Sequence, residues 1–381
     1  MKARGQATVA THAGRPSGGE AEPLAVPLQL STAYAFPELE SLLEASKGKK
    51  TPWTFYRRYG HPTGRLLEEA VAALEGTEEA LACGSGMSAV ATILLALAKK
   101  GDRVVASRDL YGGTHAFLRD VLPRTGALVS FTPLEGLADE VRRGANLALV
   151  ETVSNPLIRV ADLAAIGKAC ERAGALMVVD NTFATPVLCR PARWGASVVF
   201  HSATKFLNGH GDAMGGVVCG PGDLIARMRS LGIVLGTAMA PLDAWLTLRG
   251  LRTLPLRVER SCRTAEVLVK FLSRHPKVTR VHYPKAARVL SPWRGAMLSF
   301  ELEGGLRAAD RVVRASKLIR LVPSLGDVTT TYSHPARSSH AALSPEERQA
   351  LGVTDGLLRI STGLEDAEDL QEDLSQALSK A

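Results

Sequence analysis

The sequence predicts an α/β protein with a largely parallel sheet, followed by a smaller α+β domain. Three observations carry this. Short apolar runs rich in β-branched residues alternate with helical periods from Leu66 to Gly220. Polar residues collect where several of these runs stop, as ligand-binding residues do at the carboxyl ends of strands in such sheets. After Pro241 the pattern changes to a long amphipathic helix and then an alternating strand, "GAMLSFELEGG".

Taken in order, residues 1–50 carry proline and glycine with little periodicity and end in the basic run "KGKKTPW"; they read as an extended arm. Residues 51–240 form the α/β domain and 241–381 the α+β domain. From Leu66, apolar residues at spacings of three and four predict a helix that Gly76 stops. The stretch "ALACGSGMSAVATILLALAKKGDRVVAS" reads as strand, glycine turn, helix, strand. "NLALVET" is a strand, Asp162 to Gly174 a helix, and "ALMVVDN", "ASVVFHS" and "GGVVCG" are further strands.

The 381 residues exceed one domain of common size, and 46% hydrophobic with 22% charged residues is ordinary for a globular chain. No window approaches 18 uninterrupted apolar residues, so a membrane span is not expected. The N-terminus, "MKARGQATVATHAGRPSGGEAEP", has no apolar core of a signal peptide, which predicts a cytoplasmic address. Five cysteines without CxxC spacing argue against a disulfide framework or zinc site and for buried thiols. The net charge of +8 comes from basic residues spread among acids, with no aromatic-interleaved patch. That pattern points away from nucleic acid and towards a site that attracts anions.

Three strand ends carry polar groups that a core does not need: Glu151 to Asn155 ("ETVSN"), Asp180 with Asn181 ("VVDNT"), and His201 to Lys205 ("HSATK"). Asp180 is expensive to desolvate unless it meets a cation or donor, and Lys205 follows 25 residues later. A structural ion pair is one reading. The turn "CGSGMSA" adds another, because the amides of Gly86 and Met87 at a helix N-terminus suit a phosphate. The same turn satisfies a dinucleotide fingerprint through Gly84, Gly86 and Ala89, with Asp109 as the acid, which would make the protein an NAD(P)-dependent oxidoreductase. That alternative leaves Lys205, Asp180, Ser202 and Thr204 without a task. Pyridoxal 5'-phosphate (PLP) uses all of them: its aldehyde needs a lysine amine, its pyridine nitrogen an acid, and its phosphate donors. Lys205 would then hold the cofactor and later shuttle protons at the substrate carbons.

The motifs "YRRYGHPT", "LEGTEEALACGSGMSA", "DLYGGT", "ETVSNP", "VVDNTFATP", "GASVVFHSATKFLNGHGD", "LRGLRTLPLR" and "LLRISTGLED" run through nearly the whole chain. With them the chain resembles the cystathionine γ-synthase, cystathionine γ-lyase and methionine γ-lyase family of PLP-dependent enzymes. The resemblance implies the aminotransferase-like architecture known as fold type I. It implies that Lys205 carries the cofactor, Asp180 pairs with the pyridine nitrogen and Tyr111 stacks on the ring. Gly86, Met87, Ser202 and Thr204 match phosphate contacts, and Tyr56 and Arg58 match residues reaching in from a neighbouring subunit. A homodimer is therefore implied, commonly paired into a tetramer through the N-terminal arm. Arg359 matches the clamp on the substrate α-carboxylate, while Asn155, Ser324 and Tyr56 match further contacts to cofactor or substrate.

The implied activity is γ-elimination or γ-replacement on sulfur amino acids or homoserine esters, with O-acetyl- or O-succinylhomoserine sulfhydrylase or methionine γ-lyase as alternatives. Departures bear on substrate. Arg57 and His61 replace a serine and an asparagine usual beside Arg58, adding bulk and charge there. Ala116 stands where animal γ-lyases carry an arginine, and Thr329 where many members carry a glutamate. Gly113 occupies the position of the methionine γ-lyase cysteine, and the lysine and aspartate that those enzymes carry near Gly232 and Ile233 are missing. The segment after "VHYP" is also shortened.

Overall fold

The structure is a computed structural model describing residues 4–16, 21–48, 53–341 and 343–381. Residues 49–52, where the middle of the basic run and the expected end of the arm fall, lie outside the described residues. Seven strands make up the α/β layer: β1 (Glu79–Cys83), β2 (Arg103–Ser107), β3 (Leu128–Thr132), β4 (Leu147–Glu151), β5 (Leu176–Asp180), β6 (Val198–Ser202) and β7 (Gly216–Gly220). Five more follow: β8 (Val278–His282), β9 (Met297–Leu302), β10 (Arg320–Leu321), β11 (Thr331–Ser333) and β12 (Leu357–Ser361). The chain divides into two compact units, each made of two stretches: Met1–Ala98 with Ser197–Leu254, and Lys99–Ala196 with Pro255–Ala381. Pro241, expected at a domain boundary, is the first residue of the helix Pro241–Leu251 and belongs to the first unit.

In the first unit β7 runs antiparallel to both β1 and β6, with Ala80 opposite Cys219 and Phe200 opposite Val218. The helix Pro62–Glu75 begins with proline, whose missing N–H costs nothing in a first turn, and ends on Gly76 at φ +76°. Its Leu67, Val71 and Leu74 are buried, as are Ile93 and Leu94 of the helix Gly86–Leu97. Each such side chain contributes about 1.5–3 kcal/mol of burial. Glu68, buried in the same layer, accepts the Ala82 amide at 2.8 Å and pairs with Arg229 at 2.9 Å.

In the second unit the run β5–β4–β2–β3 is parallel throughout, the pattern its nearly uniform apolar strands require. The helix Leu163–Ala173 lies where the sequence places it, with the Asp162 carboxylate accepting the Ala165 amide at 3.0 Å and Gly174 closing it. The later strands form a second sheet in the order β10–β11–β12–β9–β8, antiparallel except for β10 with β11. Leu298, Phe300, Val312, Ile360 and Leu374 fill the core between this sheet and the helices Gly305–Ala315 and Ala367–Leu378. The expected α+β region is thus present. All five cysteines are buried thiols. No helix among the described residues is long and apolar enough to cross a membrane.

Candidate active site

In the first unit the helix Gly86–Leu97 opens straight out of β1. Ser85 and Ser88 cap it reciprocally: the Ser85 hydroxyl accepts the Ser88 amide at 3.0 Å, and the Ser88 hydroxyl accepts the Ser85 amide at 2.8 Å. The Ala89 amide reaches the Ser85 carbonyl at 3.1 Å, so the capping box leaves the Gly86 and Met87 amides as first-turn donors. Ser202, which ends β6, adjoins this turn. A Cβ on Gly86 would lie 3.0 Å from the Ser202 Cβ and 3.1 Å from its hydroxyl, a cradle that only glycine leaves open.

Beyond Ser202 the chain turns sharply. The Lys205 amide donates to the Ser202 carbonyl at 3.1 Å, and the Thr204 hydroxyl accepts the Gly215 amide at 3.0 Å, fixing the lysine's loop to the residues before β7. Strand alternation sends His201 the opposite way. It is fully buried, with Nε2 2.6 Å from Glu75 Oε1, so this member of the polar strand end serves the core. Arg58 donates from Nη1 to the Ile233 carbonyl at 2.7 Å, and its guanidinium lies 5.6 and 5.3 Å from the ring centroids of Tyr56 and Tyr59.

In the second unit β4 and β5 end side by side, Glu151 opposite Asp180. Asp180 Oδ1 accepts the Thr182 amide at 2.9 Å. Glu151 uses both oxygens: Oε1 accepts the Tyr111 amide at 2.5 Å and Oε2 the Asn155 amide at 3.0 Å. Burial, then the charge of Asp180, push the Glu151 carboxyl well above its ordinary range, while the two amides pull the other way. Asn155 Oδ1 in turn accepts from Arg359 Nη1 at 2.6 Å, and Arg359 Nη2 donates to the Ser324 carbonyl at 3.3 Å.

Arg359 sits in the middle of β12, only 4% exposed, with its guanidinium 5.8 Å from the Phe183 ring centroid. Its Nε meets no partner. Burial lowers its pKa to about 10, and Glu151 is the charge that opposes the shift. A buried guanidinium with an unused donor is costly unless an anion takes it up. Tyr111, with its ring partly exposed, precedes Gly112, where any Cβ would lie 2.0 Å from the Ser339 carbonyl. The adjacent His340 is buried, with Nδ1 2.9 Å from the Ser339 hydroxyl; burial and the Arg359 charge lower its pKa to about 4.

The structure therefore brings Gly86 together with Ser202 in one unit, and Tyr111, Asn155, Asp180, Ser324 and Arg359 into one network in the other. Sequence reasoning singled out Glu151 as a polar strand end without giving it a task, and it passed over His340. Glu151 was legible by the argument used for Asp180, an acid closing a wholly apolar strand ("LALVE"). His340 carried no local signal.

Residues 7–379 match the family described as Cys/Met metabolism PLP-dependent enzyme. The chain belongs to this family. L-methionine gamma-lyase of Fusobacterium nucleatum subsp. nucleatum is 38% identical over 100% of this chain and 99% of that protein. O-succinylhomoserine sulfhydrylase of Pseudomonas aeruginosa is 38% identical over 98% of this chain and 94% of that protein. A crystal structure of cystathionine gamma synthase from Xanthomonas oryzae pv. oryzae in complex with cystathionine superposes with a TM-score of 0.92 at 37% identity, covering 99% of this chain and 98% of that one.

This Cys/Met metabolism enzyme is accordingly a fold type I, PLP-dependent carbon–sulfur lyase or transferase. Its residues suit the cofactor and an amino-acid substrate on their own chemistry: first-turn amides and a glycine cradle for a phosphate, and an orphaned guanidinium donor for the substrate carboxylate. The dinucleotide reading falls. β1 is antiparallel to β7, so its glycine turn does not open a parallel βαβ unit, and Asp109 is engaged by Arg159 at 3.5 Å.

Three of the departures are placed by the structure. His61 does not bring charge to Arg58: it is 3% exposed, its Nδ1 accepts the Gly64 amide at 3.0 Å, and its Nε2 donates to the Met239 carbonyl at 3.1 Å. It is the N-cap of the helix Pro62–Glu75, and burial lowers its pKa, keeping it neutral. Thr329 is exposed, and its amide and hydroxyl both donate to Asp327 Oδ1 at 3.0 Å. Ala116 ends the short helix Gly112–Ala116 half-buried.

Proposed function

We propose that this family member catalyses γ-elimination or γ-replacement on cystathionine-type amino acids or homoserine esters, as a cystathionine γ-lyase or γ-synthase. One observation carries the reading: Arg359, buried, paired with Asn155 and left with an unused Nε, is a socket for an amino-acid α-carboxylate. Bound PLP supplies an electron-withdrawing ring that stabilises negative charge at the substrate carbons. Lys205 Nζ would hold the cofactor aldehyde and would move protons at the substrate Cα and Cβ. Asp180 would keep the pyridine nitrogen protonated, and Tyr111 would stack on the ring. Gly86, Met87, Ser202 and Thr204 would receive the phosphate. Asn155 and Ser324 set the direction of Arg359. With water a thioether substrate would give a 2-oxo acid, ammonia and a thiol; with an incoming thiol a homoserine ester would form the Cγ–S bond as its Cγ–O bond breaks and the carboxylate leaves.

In the same reading Tyr56 and Arg58 serve the site of a partner subunit, so the working unit is a homodimer, paired into a tetramer through the arm 1–50. The division into 51–240 for cofactor binding and 241–381 for the C-terminal domain, and a cytoplasmic location, belong to it as well. The test is an assay of kcat/KM on cystathionine, homocysteine, methionine, O-acetylhomoserine and O-succinylhomoserine, with and without cysteine or sulfide. Highest values for cystathionine cleavage, or for its synthesis with cysteine, support the proposal. Dominant sulfide-dependent turnover makes the protein a sulfhydrylase, and dominant methionine cleavage a methionine γ-lyase. Mixing Lys205→Ala with Arg58→Ala subunits restores activity if the site is shared.

A further inference from the structure

One buried acid touches the supports of two groups to which the proposed function gives separate tasks. Glu151 closes β4 at 6% exposure, and each of its oxygens receives one backbone amide, Tyr111 at 2.5 Å and Asn155 at 3.0 Å. We propose that Glu151 is a positioning residue whose single carboxylate sets both the Tyr111 ring and the Asn155–Arg359 pair, so that cofactor stacking and substrate-carboxylate binding share one support. The inference rests on the roles assigned above to Tyr111 and Arg359.

Neither branch has slack. On the first, Gly112 lies so close to the Ser339 carbonyl that no Cβ fits, which fixes the backbone just beyond Tyr111. On the second, the Ser299 hydroxyl donates to the Pro156 carbonyl at 2.7 Å and the Ile158 amide to the Ser154 carbonyl at 3.0 Å, anchoring the turn that carries Asn155. From Glu151 Oε2 the path runs through Asn155 to Arg359 Nη1 in two hydrogen bonds, 3.0 and 2.6 Å long. A carboxylate accepts at both oxygens, whereas a glutamine amide accepts at one and presents a donor to the other N–H. Glu151→Gln therefore keeps the volume, breaks one branch outright and, with a neutral acceptor in place of a charged one, weakens the other. A purely structural acid would lower stability on this change and leave cofactor and substrate geometry alone.

The experiment uses the holoenzyme of Glu151→Gln, alone and combined with Asn155→Ala. Amide hydrogen exchange at Tyr111 or Asn155 should quicken about tenfold, KM for the amino-acid substrate should rise about tenfold, and the visible circular dichroism of the bound cofactor should weaken. In the Asn155→Ala background the same change should add less than about twofold to KM, because the route to Arg359 is already cut. An equal fold rise in both backgrounds, or a lowered melting temperature with KM and dichroism unchanged, overturns the proposal. Should Glu151→Gln not fold, Glu151→Asp, which withdraws the carboxylate by one methylene, is read by the same criteria. Wild-type protein that neither binds PLP nor turns over amino acids defeats the proposed function instead, and exchange at the two amides then decides the role of Glu151.

Discussion

Glu151 and Asp180 stand in register at the ends of neighbouring parallel strands, so two carboxylates occupy adjacent strand ends. The charge of Asp180 is, after burial, the main reason that the Glu151 carboxyl is pushed up. Such a pair is stable only where donors and cations share the load. On one side the amides of Tyr111, Asn155 and Thr182 do so, and Arg359 adds its field.

Replacing Asp180 by Asn should leave PLP bound but lower kcat by about 100-fold, because a neutral amide does not hold the pyridine nitrogen protonated. Loss of the neighbouring charge should also bring the Glu151 carboxyl down. Absorbance titration with PLP and steady-state kinetics check both arms; wild-type kcat in this variant removes Asp180 from the chemistry.

Arg359→Lys should raise KM for amino-acid substrates by about 100-fold while cofactor content stays constant. An ammonium cannot offer the parallel N–H pair of a guanidinium, and it surrenders the bond to Asn155 Oδ1 or to the carboxylate. Comparing KM with bound-PLP absorbance in the purified variant separates this from a general loss of folding.

His340 predicts a pH dependence of stability. Its folded pKa of about 4 lies below the ordinary 6.5, so it is neutral in the folded protein at pH 7. As pH falls from 6.5 towards 4 the unfolded chain takes up a proton that the folded chain refuses, and about 3 kcal/mol of stability is lost across that window. Above pH 6.5 this contribution is fully present. Urea unfolding at a series of pH values should show the slope, and His340→Gln should flatten it.

His61 makes a sharper point about the helix Pro62–Glu75. His61→Asn keeps a side-chain acceptor for the Gly64 amide, whereas His61→Ala removes it, so the alanine variant should be less stable than the asparagine one by about 1 kcal/mol. Thermal unfolding of the two variants decides the matter, and equal stability would deny the capping role.

Much of the fold was legible because its signals are local. Gly76 and Gly174 close helices where the apolar period stops, Asp162 caps the next, and uniform apolar runs become the parallel strands β2, β4 and β5. The residue types for a phosphate, a pyridinium and a carboxylate were equally visible at the strand ends and in the motifs. His61 was misread because substitution at a motif position shows a changed side chain, not the carbonyl of Met239 that its ring meets 178 residues away.

By itself the sequence determined the alternation of strands and helices and the family, and it named the candidate residues for PLP, since each depends on spacings of a few residues or on dense motifs. Only the tertiary structure decided that Glu151 would hold Tyr111, 40 residues before it, and that Arg359 would meet Asn155, 204 residues before it, with its Nε left over. Directional bonds over such separations exist only once the sheets have packed, and the same packing removes water from Arg359 and His340, lowering both pKa values and leaving His340 neutral.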